Sequence, residues 1–265
     1  MSISAYYFSM LQDWHIHLEH SSYTKKDLEK FINQAKKIGL EEIGIVEHSH
    51  QFLEFLPLYK ETIALGGKMA SWYLNKNPIP LRKYFNFVKE MKKEEWPLKV
   101  NYGLEICYLP QHEKDIFNVL KEYHFDFYIG SIHHIDNIAY DLKDISREFL
   151  WDKQDTDTIY HKYYDLVEQM VKSRLFNIIG HLDNIKIYNR YPNYDLKETY
   201  EKIAKLCREY NVIVENNSGI SYRYQHKDIG VNKSLLGILK ENQVRILTSS
   251  DAHYPKDVGK YITEL

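Results

Sequence analysis

Seven short apolar runs recur along the chain, at residues 10–17, 42–48, 99–108, 125–134, 177–183, 212–219 and 244–253. Stretches of helical spacing at 28–38, 81–95, 111–123, 157–174, 196–210 and 232–240 separate most of them. Such alternation forces a parallel sheet, because each crossover must carry the chain back to the edge from which the previous strand started. The first helical stretch is framed by Thr24 at the N-cap, with Asp27 three residues on, and by Gly39 as a stop. Residues 51–80 and 136–155 are irregular, the former broken by Gly66-Gly67 and Asn77-Pro78-Ile79-Pro80. The longer of the two reads either as a lid or wall over a site or as a surface insertion. Near-continuous apolar runs fit strands buried on both faces. Seven of them in one order predict a distorted (β/α)7 barrel, TIM-barrel-like, as one domain over residues 1–265; a doubly wound open sheet is the alternative.

The barrel is favoured by what stands at the C-terminal ends of the runs. Asp13-Trp-His15-Ile-His17-Leu-Glu-His20 opens the series, and His48, Glu105, His133, His181 and the pair Asp251 and His253 continue it. In an extended strand residues two apart share a side, so His15 and His17 present two nitrogens together. In a barrel all strand ends face one mouth, which gathers seven of the 13 histidines and two carboxylates into a single site. Left without a partner, these buried polar groups would be costly. Nitrogen and oxygen donors without thiolate suit zinc, manganese or iron. A single zinc takes about four ligands, so this set implies two to three divalent transition-metal ions, with Glu105 placed to bridge them.

Composition narrows the partners. A net charge of -2 gives no basic field for a nucleic-acid backbone, and no apolar run reaches the ~18 residues of a membrane span. Cys107 and Cys207 form no CxxC pair, and residues 1–10 lack the basic-then-apolar pattern of a signal peptide. A cytoplasmic protein with free thiols is expected; oligomeric state leaves no trace.

The motifs Asp13-x-His15-x-His17, Glu47-His48-Ser49, Gly103-x-Glu105, Gly130-Ser-x-His133, Gly180-His181-Leu-Asp183 and Ser250-Asp251-x-His253 resemble, in order and over the whole chain, those of the polymerase and histidinol phosphatase (PHP) family. Within it the chain is similar to the monofunctional histidinol-phosphate phosphatases. The resemblance implies a seven-stranded distorted barrel and three ion positions. One would be held by His15, His17, Glu105 and Asp251, a second by Glu105, His133 and His181, and a third by His20, His48 and His253. Asp13 would orient a liganding imidazole, and Glu47 stands where the family usually has Asp.

The implied reaction is hydrolysis of the phosphomonoester L-histidinol phosphate in histidine biosynthesis. A hydroxide shared by ions that Glu105 bridges would attack phosphorus in line with the departing alcohol. Asp251 would hydrogen-bond the nucleophile, and the neighbourhood of His253 or a water would protonate the leaving group. Phosphate oxygens also call for cationic side chains. Arg190, Arg223 and Lys186, in loops after the fifth and sixth runs, are the candidates, with Arg190 and Arg223 favoured. Glu215 and Asn217 either touch the substrate's amine or brace the barrel. His134 should face away from His133. A PHP phosphoesterase or exonuclease acting on nucleotides or nucleic-acid ends, and a non-catalytic metal-stabilised module, are the competing functions.

Overall fold

The computed structural model describes residues 11–265. Residues 1–10, on which the signal-peptide expectation rests, lie outside the described residues. Seven strands form one parallel sheet in strict chain order: Gln12–His17, Glu42–Val46, Lys99–Cys107, Phe127–Ser131, Ile178–Ile179, Ile213–Asn217 and Ile246–Ser249. The first and seventh strands meet through one parallel bridge, Ile16 with Ala252, and the Thr248 hydroxyl donates to the Gln12 carbonyl at 2.5 Å. The sheet is thus a nearly closed barrel, and the order excludes the doubly wound alternative, in which strand order reverses at a switch point.

Local chemistry explains the elements. In helix Lys25–Lys37 the Thr24 hydroxyl accepts from the Asp27 amide, and Gly39 ends the turn at φ 81°. Its buried residues Leu28, Phe31, Ile32 and Ala35 share one face. Strand Glu42–Val46 is buried along its whole length, as a doubly covered parallel strand should be.

Two stretches are more ordered than their sequence suggests. Residues 51–80 fold into a 3-10 segment, Leu53–Tyr59, and helices Lys60–Ala64 and Gly67–Leu74, burying Phe55, Leu58, Tyr59, Met69 and Tyr73. Their apolar residues are spread over short turns, so no long helical period shows in the sequence. This stretch forms a packed wall of the barrel mouth. Residues 136–155 begin with the turn and return strand, Ile138–Ala139, of a hairpin with His134–Ile135, and contain one π-helical turn, Arg147–Trp151, held by the Trp151 indole donating to the Tyr140 carbonyl. Helix Gly219–Tyr224, after the sixth strand, is too short to have shown a period. No helix among the described residues is long and apolar enough to cross a membrane.

Candidate metal centre

The C-terminal ends of the strands converge on Glu105. The second strand is prolonged past Val46 so that His48 bridges Glu105, with the Glu105 amide donating to the Glu47 carbonyl. Five imidazoles then surround the one buried carboxylate. Its Oε1 lies 2.9 Å from His181 Nε2 and 3.1 Å from His133 Nε2; its Oε2 lies 2.6 Å from His48 Nδ1, 3.3 Å from His15 Nε2 and 3.6 Å from His17 Nε2. Asp251 Oδ1 approaches His17 Nε2 at 3.3 Å and His15 Nε2 at 3.9 Å. His253 Nε2 faces His48 Nε2 at 3.4 Å.

Outer partners fix which imidazole nitrogens carry lone pairs. A carboxylate only accepts, so His15 donates from Nδ1 to Glu215 (2.8 Å) and His133 from Nδ1 to Asp141 (2.8 Å). His253 Nδ1 donates to the Asp251 carbonyl. In the neutral rings the nitrogens left over, Nε2 of His15, His133 and His253, point lone pairs at carboxylate oxygens or at another imidazole nitrogen. Lone pair against lone pair repels unless a cation lies between. His15 Nε2, His17 Nε2 and Glu105 Oε2 are buried without a hydrogen-bond partner. The donor set therefore fits divalent metal: His15, His17 and Glu105 form one group able to hold an ion, His48, Glu105 and His133 a second, and His17, His48 and His253 a third.

The electrostatics agree. Burial opposes charge on Glu105, but the surrounding histidines, His48 and His15 foremost, hold its carboxyl well below the usual range. Burial also works against a charged His15, yet Glu215 and Glu105 outweigh it and hold its pKa well above normal. His133 follows the same pattern, with Asp141 and Glu105 lifting it to about 10 against its burial. His17, buried among His48, His253 and His15, is driven well below. These opposed shifts describe a ring that needs positive charge in some places and rejects protons in others.

Most of the expected ligands are brought together, with four corrections. His20 is half exposed, pairs with Glu19 at 3.4 Å and stacks on Tyr254, outside all three groups. Glu19 occupies the inner position instead, its Oε1 at 3.5 Å from His253 Nε2, and despite burial the nearby His48 and His253 pull its carboxyl down to about 2. The strand ends at His17, and of the two residues in the turn that follows it is Glu19, not His20, that is directed inward. Asp13 touches no imidazole ring: it accepts from the Ser250 amide and hydroxyl and the Gly259 amide, tying the first strand to the loop that carries Asp251 and His253. The orienting expected of Asp13 falls to Glu215, which holds His15 Nδ1.

Arg190 and Lys186 are the third and fourth corrections. Arg190 is spent on Asp152 and the Trp151 carbonyl, outside the cavity. Lys186, only 3% exposed, is clamped between Asp183 (2.7 Å) and Asp228 (3.0 Å) and donates to the Gly230 carbonyl. Lys186→Ala would leave buried Asp183 and partly buried Asp228 without their cation, and a loss of about 3 kcal/mol is expected in urea unfolding; a loss under about 1 kcal/mol would show the triad to be hydrated.

Arg223 does reach the cavity, 2.5 Å from Asp251 Oδ2. Gly219 permits this, since a Cβ there would lie 2.8 Å from that of Asp251. Asp251 itself is held at φ 56°, a left-handed strain of the kind stored at functional sites. Glu47 accepts from the Leu18 amide and touches none of the clustered imidazoles. His134 turns away from Glu105, bonding Tyr73 and Cys107, and burial pulls its pKa down to about 3. Residues the motifs did not reveal as site members are Asp141, Glu19, Tyr59, Trp72, Tyr73 and Lys76, all lining the cavity.

A family model described as PHP domain matches residues 13–219. A Deinococcus radiodurans protein named "Probable histidinol-phosphatase" is 27% identical over 192 residues, 72% of this chain and 71% of that one. The crystal structure of a Listeria monocytogenes chain superposes with a TM-score of 0.76 at 19% identity, covering 96% of this chain and 100% of the other. The histidinol phosphate phosphatase of Lactococcus lactis, solved with zinc, L-histidinol and phosphate, gives a TM-score of 0.65 at 19% identity over 96% and 90%.

Proposed function

Because the chain belongs to the PHP domain family, we propose that it is a metal-dependent phosphomonoesterase that hydrolyses L-histidinol phosphate to L-histidinol and phosphate, in the cytoplasm. The observation that carries this reading is Glu105, buried with both oxygens ringed by five imidazoles and one of them unpartnered. Named relatives give the substrate, since the Lactococcus lactis enzyme was solved with L-histidinol and phosphate.

The residues would hold two or three zinc, manganese or iron ions. His15, His17, Glu105 and Asp251 suit one, Glu105, His133 and His181 a second, and His48 and His253, with His17 or Glu19 in place of His20, a third. When bound, such ions supply Lewis-acid charge for a phosphoryl group and an activated water.

The chain's own groups do the rest. Glu215 and Asp141 lock the tautomers of His15 and His133, so the imidazoles need no reorganisation during turnover. Asp251 divides its carboxylate, Oδ1 toward His17 and Oδ2 toward Arg223. It thereby holds the guanidinium at the cavity wall, where a fork of N–H donors meets the oxygens of a phosphomonoester. His253, turned by its Nδ1 donation, presents the Nε2 lone pair to the third ion position beside His48.

Kinetics on L-histidinol phosphate beside nucleoside mono- and bisphosphates, with elemental analysis of the same sample, tests the assignment. A preference for the nucleotides would transfer it to the nucleotide phosphoesterases. Arg223→Ala should lower kcat/KM by about thirtyfold, the worth of one hydrogen bond between charged groups. Arg190→Ala should leave it within about twofold; the reverse ranking would restore Arg190 as the phosphate ligand.

A further inference from the structure

One wall of the cavity carries a hydrogen-bond chain that the metal chemistry does not use. Cys107 lies two residues beyond Glu105 on the same strand, so its side chain shares Glu105's face about 7 Å further along. Its Sγ stands 3.0 Å from His134 Nδ1, and His134 Nε2 stands 2.7 Å from the Tyr73 hydroxyl. Cys107, His134 and Tyr73 are all buried, yet all three line the cavity.

Two directions are open to this chain, and the one that starts at the thiol leaves a donor over at its far end. The His133 backbone N–H donates to the Cys107 sulfur, which leaves the thiol proton free for donation to His134 Nδ1. Burial keeps the His134 ring neutral, and with Nδ1 accepting from the thiol its one proton sits on Nε2 and is donated to the Tyr73 oxygen. Tyr73 has accepted; its own proton must go elsewhere, and among the described residues no group takes it. Tyr59, which could have done so, is engaged with Ser49 at 2.6 Å and stacks on the Tyr73 ring at 4.9 Å. The cavity thus presents an aromatic wall of Tyr59, Trp72 and Tyr73 with one uncommitted hydroxyl donor.

We propose that Tyr73 is a specificity-determining residue that donates its hydroxyl proton to a ring nitrogen of the substrate's imidazole, with Cys107 and His134 as positioning residues that fix the direction of the donation. The inference rests on the phosphomonoesterase reading above. With phosphate at the ions beside Glu105, the ring of L-histidinol phosphate lies about five bonds away, roughly 6 Å, a reach comparable to the ~7 Å that separates Glu105 from Cys107 along the strand. A neutral imidazole offers one acceptor nitrogen and a flat face, matching a single donor set in an aromatic wall.

The experiment compares kcat/KM for L-histidinol phosphate with that for 2-aminoethyl phosphate, which keeps the phosphate and the amine and lacks the ring. Tyr73→Phe should reduce the enzyme's preference for the ring-bearing substrate about tenfold, mainly through KM, and should weaken binding of the product L-histidinol in calorimetry by a similar factor. Cys107→Ala should shift the preference the same way, Cys107→Ser, which still has a proton to donate, should retain it, and Cys107→Ala should add little on top of Tyr73→Phe. A preference untouched by Tyr73→Phe, an equal loss on both substrates, or a serine variant as impaired as the alanine one would each overturn the inference while leaving the reaction assigned. A wild-type enzyme with no preference for the ring-bearing substrate would bring down the substrate assignment, and this inference with it.

Discussion

Glu105→Ala is expected to abolish turnover and to strip the site of metal in one step, with kcat falling by more than about a thousandfold and metal content falling below one ion per chain. The reason is the position of this carboxylate. Its two oxygens lie within 3.6 Å of five imidazoles drawn from four strand ends, and both ion groups on this side of the site include it. Without it, cations held by neutral imidazoles a few ångströms apart would face each other with nothing to offset their repulsion. Glu105→Gln keeps the shape and one oxygen while removing the charge, so it separates the electrostatic role from packing; it should fail nearly as badly. Glu215→Gln should behave differently: it can still accept from His15 Nδ1, and a loss of about 10–100-fold in metal affinity is the usual scale for an outer partner. Kinetics and elemental analysis on the three variants check this ordering. A Glu105→Ala protein that retained its metals and its rate would refute the bridging role.

The contrast between Glu105 and Glu215 also marks how far the sequence could be read. Strand-end residues were legible because a parallel barrel turns chain order into spatial order: an apolar run announces the strand, and its last polar residue announces the mouth. His15, His48, Glu105, His133, His181 and Asp251 all sit where that logic puts them. Asp141 was invisible, since it reaches His133 only after the hairpin at 134–139 folds the chain back, and a turn of that kind has no period. His20 was misplaced because it lies in the turn beyond His17, where the strand's alternation no longer assigns a side. The charges of Lys186 and Arg190 said nothing of direction; both are neutralised locally by Asp183, Asp228 and Asp152, partners set by loop packing. The wall at 51–80 was hidden because its turns are each too short to establish a helical repeat.

Removing the ions from the wild-type protein with a chelator should lower its unfolding temperature, and by more at pH 9 than at pH 6.5. A ligand present at a thousand times its dissociation constant stabilises by about 4 kcal/mol per site, worth roughly 10 °C for a chain of this size. The pH dependence comes from protons standing in for the missing cations. Without metal, His133 keeps its proton up to about pH 10, and His15 is also held well above normal. A histidine whose pKa rises on folding contributes stability that is complete below the unfolded value near 6.5 and disappears as pH climbs through the folded value. The stripped protein therefore loses that contribution between about pH 6.5 and 10, as the lone pairs of His133 and His15 are left facing Glu105. His17 and His253, the latter lowered to about 4 chiefly by burial and Arg223, are already neutral throughout this window and do not alter the slope. Metal binding runs the opposite way, since each ion displaces protons and binds more tightly as they leave. Both effects widen the gap between loaded and stripped protein at high pH. Paired thermal melts at the two pH values measure it directly, and a gap that closes at pH 9 would mean that the imidazole ring around Glu105 does not hold the ions.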